Sequence, residues 1–200
     1  MEDSFRSVSR ASEGLFKEKG SRFIALAFPV KNEEEIREIL KQVKKTHHAA
    51  RHHCYAWRLG PDGLNFRVND DGEPSSSAGK PILAAMAAEG LTNTLIVVIR
   101  YFGGILLGVP GLINAYRMAA ADAIGNTEIT SHKIRTRLVL QFGYPLLNEV
   151  MLIIKSGDVE IIKLTMEESC EAILAPLRSE SGKLVSRLSD VFGLKIVEME

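Results

Sequence analysis

The sequence predicts an α+β protein made of two folded units. Three observations carry that reading. Runs with the two-residue alternation of strands are interleaved with runs at helical spacing along the chain. Two glycine-punctuated loops, residues 69–81 and 101–111, each follow a strand-like run and precede a helical one. From about Thr127 the texture changes, and the segments read β-α-β-β-α-β, an order able to fold alone.

The elements follow in chain order. Phe5 to Ser9 and Leu15 to Lys19 alternate apolar and polar residues, and Arg22 to Val30 is a longer strand-like run with Pro29 near its end. Asn32 is placed as the N-cap of a helix, with Glu35 three residues on as in a capping box. Glu33, Glu34 and Glu35 fill the first turn and Lys41, Lys44 and Lys45 the last, and both sets complement the helix dipole. Ile36, Ile39, Leu40 and Val43 give its apolar face. Cys54 to Leu59 and Leu64 to Val68 flank Gly60-Pro61-Asp62-Gly63 as a hairpin, with Trp57 read as core. A helix from about Gly79 to Glu89 stops at Gly90. Leu95 to Ile99 is an unbroken apolar run, which predicts a central strand buried on both faces. Pro110 opens the next helix, and its buried face is read as Leu112, Ile113, Tyr116, Ala119, Ala120 and Ala123. Gly125-Asn126 ends it.

Beyond Thr127, Arg135 to Phe142 alternates as a strand, and Pro145 starts a helix with Leu146, Leu147, Val150, Met151 and Ile154 on one face. Val159 to Thr165 and Ser169 to Ala175 form a second hairpin, turning at Glu167-Glu168. Leu177 to Phe192 carries Leu184, Val185, Leu188 and Phe192 at helical spacing, Gly193 closes it, and Leu194 to Met199 is the last strand. This is the ferredoxin-like order. It places a boundary near residues 127–131, with one domain over 1–127 and the other over 131–200.

Of the 200 residues, 46% are hydrophobic and 25% charged, as in ordinary globular proteins. Lys+Arg and Asp+Glu both number 25, so whole-chain charge argues against bulk, sequence-independent nucleic-acid binding and leaves only local patches. Cys54 and Cys170 are far apart and form no CxxC, which points to reduced thiols. The polar, acidic N-terminus does not read as a signal peptide, and no apolar run approaches the roughly 20 residues a spanning helix needs. The expected location is the cytoplasm.

The chain is organised around Asn69-Asp70-Asp71-Gly72-Glu73-Pro74-Ser75-Ser76-Ser77-Ala78-Gly79-Lys80-Pro81. Asp and Ser side chains bond nearby backbone N–H groups, so this loop can be ordered despite its polarity. Its companion is Tyr101-Phe102-Gly103-Gly104-Ile105-Leu106-Leu107-Gly108-Val109-Pro110-Gly111. Two such loops in equivalent positions suggest one built surface. Between α-helical and β-strand segments lies His47-His48-Ala49-Ala50-Arg51-His52-His53-Cys54, which holds four of the five histidines. A zinc site is the sharp reading of that cluster. Ordinary structural histidines are the favoured one, because adjacent side chains diverge and no HExxH spacing is present. Acid–base chemistry or anion binding by His52 or His53 stays open.

Asp70-Asp71-Gly72-Glu73-Pro74-Ser75, then Ala78-Gly79-Lys80-Pro81, then Arg100-Tyr101-Phe102-Gly103-Gly104 and Leu107-Gly108 closely resemble the IMPACT/YigZ family. The histidine-rich entry into Cys54-Tyr55-Ala56 is similar too, as is the small C-terminal unit of bacterial members. The resemblance implies an N-terminal α/β sandwich like ribosomal protein S5 domain two and elongation factor G domain four. It implies a C-terminal domain like elongation factor G domain V. It also implies a role in translation, since eukaryotic relatives bind a ribosome-associated activator of a stress kinase. This sequence departs from the family pattern at Leu106, Pro110 and Asn114, where Lys, Gly and Arg are usual, and at Ser76 and Ser77, where Gly and Thr are common. Two positive charges are therefore missing beside the groove, which argues against a strong phosphate clamp.

Three functional readings follow. The favoured one is a non-enzymatic binding protein whose partner is a ribosome, RNA or a translation-associated protein. Its groove is formed by Asp70, Asp71, Glu73, Ser75, Ser76, Ser77, Lys80, Arg100, Tyr101, Gly103, Gly104, Gly108 and Arg117. Glycines let a partner approach closely, and the helix starts after Gly79 and Pro110 offer N–H groups to an anion. The alternative is a hydrolase, metal- or His/Asp-dependent, pairing His52 or His53 with Asp70, Asp71 or Glu73 near the serines. No GxSxG or Walker A pattern supports it, and the sequence points to no catalytic residue, resident metal or cofactor. In the third reading both loops are structural, with Asp70 a cap and Arg100 paired to a loop carboxylate.

Overall fold

The computed structural model describes residues 3–199. The chain divides into two compact units, one over residues 5–132 and the other over residues 133–199 with Asp3 and Ser4. The first contains β1 (Ser4–Val8), β2 (Ser12–Glu18), β3 (Ser21–Pro29), α1 (Glu33–Thr46), β4 (His52–Leu59), β5 (Asn65–Asn69), α2 (Gly79–Ala88), β6 (Thr94–Tyr101), α3 (Gly108–Gly125) and β7 (Ile129–Lys133). Five of its strands form an antiparallel sheet in the order β2-β3-β6-β4-β5. β6 takes the centre because Leu95, Ile96, Val97, Val98 and Ile99 have apolar side chains for both faces, and all five are fully buried.

Strand alternation then builds two cores. Ile96 and Val98 join Ala25, Ala27, Cys54 and Ala56 beneath α2 and α3. Leu95, Val97 and Ile99 join Trp57 and Leu59 against Ile36 and Val43 of α1. The result is a three-layer unit with helices on both faces of the sheet. Ala115, Ala119, Ala120 and Ala123 meet the alanines of the sheet, so α3 lies close on it. Asn32 caps α1 as predicted, its Oδ1 accepting from the Glu35 N–H at 2.9 Å. The return bond differs from a capping box, since Glu35 Oε2 accepts from the Lys31 N–H at 2.8 Å, one residue early.

Three sequence expectations are corrected in this unit. α3 begins at Gly108, two residues before Pro110. Ile113 is exposed rather than buried, although Ala120, two turns on along the same side of α3, is fully buried, so burial on that side begins only further along the helix. Residues 129–133, not expected as a strand, form β7, which pairs with β1 in a two-stranded sheet.

The second unit contains β8 (Leu138–Phe142), a 3-10 turn (Tyr144–Leu146), α4 (Leu147–Lys155), β9 (Val159–Met166), β10 (Cys170–Pro176), α5 (Arg178–Ser189) and β11 (Lys195–Met199). Its sheet is ordered β11-β8-β10-β9, with every neighbouring pair antiparallel. Leu138, Leu140, Leu174, Val150, Ile154, Leu184 and Leu188 fill its core. The strand expected from Arg135 starts at Leu138 instead, and Arg135 makes only an isolated bridge to Leu177. Phe192 is a further correction: α5 stops at Ser189, Val191 takes the buried position, and Phe192 is 96% exposed. No helix among the described residues is long and apolar enough to cross a membrane.

Candidate functional site

Pairing of Arg22 with Tyr101 and of His52 with Arg100 sets the start of β3, the start of β4 and the end of β6 side by side. Both loops emerge at this end of the sheet. Loop one, residues 70–78, is folded round the carboxylate of Asp70. Asp70 Oδ1 accepts from the N–H groups of Ala78 (3.0 Å) and Gly79 (2.8 Å), and Oδ2 accepts from the Ser76 N–H at 2.8 Å. The Ser77 hydroxyl donates to Pro74 O at 2.6 Å. Asp71 and Ser76 adopt positive φ, 40° and 64°, and Asp70 holds the second of these through its N–H. The N-terminus of α2, expected to offer an anion site, is therefore already occupied by the chain's own Asp70. The physical reason is the ordinary attraction of a carboxylate to free helix N–H groups.

Glu73 turns inward. Its Oε1 accepts from Arg100 Nη1 at 2.7 Å and from the Tyr116 hydroxyl at 2.8 Å, all three side chains being buried. Cys54 Sγ lies 3.3 Å from that hydroxyl and 3.0 Å from Asp70 O, to which the thiol donates. Burial pushes the Cys54 thiol up to about 12. Burial also pushes the Tyr116 hydroxyl far up, with Cys54 and Glu73 adding to it. Both groups thus stay protonated and act as neutral donors beside the Glu73–Arg100 pair. The guanidinium of Arg100 lies 5.5 Å from the Phe23 ring centroid and 5.5 Å from that of Phe102. Its Nε is buried without a partner among the described residues.

Loop two is fastened from the other side. The Gly103 N–H donates to Ser21 Oγ at 3.1 Å, and a Cβ on Gly103 would sit 1.9 Å from Gly20 C. Only glycine permits that approach. Asp71 is tied to different elements: its Oδ2 accepts from the His53 N–H at 2.7 Å, and Lys44 Nζ of α1 lies 3.5 Å from Oδ1. The His52 ring Nδ1–H donates to Asp71 O at 2.9 Å and His53 Nε2–H to His47 O at 3.1 Å, since a carbonyl only accepts. Among the described residues, no group of three His, Cys, Asp or Glu is placed to hold a metal ion.

The structure thus brings together Asp70, Glu73, Ser76, Ser77 and Arg100, with Asp71, His52 and His53 alongside. Ser75, Lys80, Gly103, Gly104 and Gly108 are exposed at the same loops. Tyr101 is not part of this set. It follows Arg100 on β6 and so points to the opposite sheet face, where its hydroxyl bonds His47 Nδ1 at 2.9 Å and Arg22 covers its ring. Arg117 also lies elsewhere, lining a cleft of about 580 Å³ between α2 and α3 with Ala84 and Met118. Tyr116, Cys54 and Phe102 are participants absent from the predicted groove. The signal for Tyr116 was a phenol in an otherwise aliphatic helix stripe, since a buried hydroxyl needs a partner.

Fold and loops together define a two-unit α+β protein: a three-layer sandwich whose paired loops are clasped from within, and a four-stranded unit roofed by two helices. The Impact N-terminal domain family matches residues 19–124. The chain belongs to the IMPACT family. It is 36% identical to the IMPACT family member YigZ of Escherichia coli over 146 residues, 72% of each chain. It is 32% identical to the IMPACT family member YvyE of Bacillus subtilis over 168 residues, 84% of this chain and 77% of that one. Among solved structures, the crystal structure of a hypothetical protein aligns over 100% of this chain and 99% of its own, at 29% identity and a TM-score of 0.72.

Proposed function

We propose that this protein is a translation-linked binding module that engages a ribosome, RNA or translation-associated protein through its two clasped loops. One observation carries the reading. The buried Glu73–Arg100–Tyr116 set joins loop one to β6 and α3 from inside, and so leaves Lys80, Ser75, Phe102 and the Gly104–Gly108 backbone turned outward. Anchors that are themselves inaccessible are suited to presenting a fixed surface, not to reacting with a substrate. Family membership supports the link to translation, since that is what the resemblance implies for its eukaryotic members. The hydrolase reading loses support from the same geometry: among the described residues no hydrogen bond joins the His52 or His53 ring to a serine hydroxyl, and Ser77 donates to Pro74 O.

We further assign residues 1–127 to a domain of the ribosomal protein S5 domain two type and residues 131–200 to a ferredoxin-like domain. The family match over 19–124 and the separate cores support the division. A sheet whose first and third strands, β8 and β10, are central supports the ferredoxin-like assignment.

The test is sedimentation of tagged protein from its own cells through a density gradient, comparing wild type with Lys80→Glu/Phe102→Ala. Lys80 is exposed and Phe102 half-exposed, so the variant gives up only the Phe102 contact with Arg100, about 0.5–1 kcal/mol, and should still melt as a folded protein. Co-migration with ribosomal particles that the variant loses supports the reading. A wild-type protein that stays at the top of the gradient and binds no RNA at low salt sinks it.

A further inference from the structure

Phe192 is the most exposed large apolar side chain in the second unit, at 96%, in a loop whose preceding residue, Val191, is buried. The chain therefore turns it out from an anchored position. It does not stand alone. The register of Phe142 against Cys170 and of Gln141 against Lys195 brings three connections to one end of the sheet. These are the turn after β8, the β9–β10 turn and the α5–β11 loop. Tyr144, in the first, is 48% exposed, and Met166, at the second, is 50% exposed. The Tyr144 hydroxyl donates to Glu167 O at 2.9 Å, which locks the first connection to the second. A Cβ on Gly193 would lie 3.6 Å from Leu146 Cδ1, which sets the third against the first.

The charges round this apolar tip have one dominant sign. Glu149 in the first turn of α4, Glu167 and Glu168 in the β9–β10 turn, and Asp190 at the end of α5 are all exposed. None of the four is in an ion pair among the described residues. Lys195 is the one cation at the start of β11.

We propose that this end of the second unit is a docking surface for a basic protein, one that offers an apolar recess edged by Lys or Arg. An aromatic and thioether tip has the makings of an interface centre, and the carboxylates form a complementary rim. The same rim disfavours other occupants. Nucleic acid would bring phosphates against four carboxylates. An anionic membrane surface would meet the same repulsion. A second copy docked through the same patch would set the rim against itself. This surface belongs to a different unit from the loop site, so it stands or falls separately from the proposed function.

The test uses the full chain carrying Phe192→benzoylphenylalanine, irradiated in its own cells. The expected result is a cross-link to a protein whose joined peptide is rich in Lys or Arg. Glu167→Lys/Glu168→Lys should lower its yield about tenfold, because like charges then face each other across the rim. Raising salt should lower it as well, and Lys80→Glu/Phe102→Ala should not. The reversed residues are exposed in a turn, and an unchanged melting temperature confirms that the fold is intact. Cross-linking to nucleic acid, lipid or a second copy overturns the proposal. So does a protein cross-link indifferent to the charge reversal, or no cross-link at all.

Discussion

Glu73 is a buried carboxylate that satisfies two donors with one oxygen, and substitutions around it separate charge from hydrogen bonding. Glu73→Ala strands Arg100 as an uncompensated buried cation and is expected to cost about 3–5 kcal/mol, read from urea unfolding. Tyr116→Phe removes one neutral donor while the ion pair survives, so about 1 kcal/mol is expected by the same measurement. Near-equal losses would mean that the pair contributes no more than an ordinary hydrogen bond. Cys54 gives a pH signature. Its folded thiol titrates near 12 against an ordinary value of 9.0, so between these values the unfolded state has lost a proton that the native state keeps. Its contribution is intact below about pH 9 and drains away as pH rises, at up to about 1.4 kcal/mol per pH unit. Wild type should lose stability faster than Cys54→Ala across that window in denaturant titrations, and parallel curves would refute the assignment. Residue types in this cluster were legible in the sequence, but Arg100 paired to a loop carboxylate belonged only to the purely structural reading of the loops, while the favoured reading placed Arg100 in the groove. The partner of Tyr116 was not legible, because it lies 43 residues away and only the packing of α3 on the sheet brings them together.

At the level of elements, periodicity was a sound guide wherever one face is buried throughout. β6, buried on both faces, and the start of α1 were readable by other signals, an unbroken run of five apolar residues and the Asn32 cap. Two of the failures, at Pro110 and Phe192, originate in where helices begin and end. Phe192 keeps helical spacing from Leu188, but spacing means nothing once α5 has stopped at Ser189. β7 has too little apolar alternation to announce itself, since its burial pattern is almost wholly exposed. The start of α2 carries a direct prediction. Asp70→Ala removes an acceptor from three N–H groups, and about 1–2 kcal/mol of stability should go with it. Amide exchange at Ser76, Ala78 and Gly79 should quicken more than in the centre of β6. Exchange unchanged at those three amides would show that water replaces the carboxylate without penalty.

At the scale of the molecule, each unit owns its sheet and its core. Residues 5–132 hold both apolar clusters of the three-layer unit, and the second unit has one of its own. A fragment of residues 5–132 is therefore expected to melt cooperatively on its own, followed by circular dichroism; a fragment without a transition would show that its core is insufficient. Zero net charge speaks at this scale only to bulk electrostatics, because the acids and bases are distributed unevenly: an acidic rim on one unit, and carboxylates consumed as internal fasteners on the other. Those fasteners bear on how recognition would proceed in time. A loop already shaped by Asp70 and clasped by Arg100 enters an encounter as a template, with little ordering entropy left to lose. The interaction then resembles docking of two rigid bodies more than folding upon contact. A synthetic peptide copying residues 69–81 carries every exposed group of loop one but neither Arg100 nor Tyr116, and it should compete for the partner of that loop far more weakly than the folded chain does.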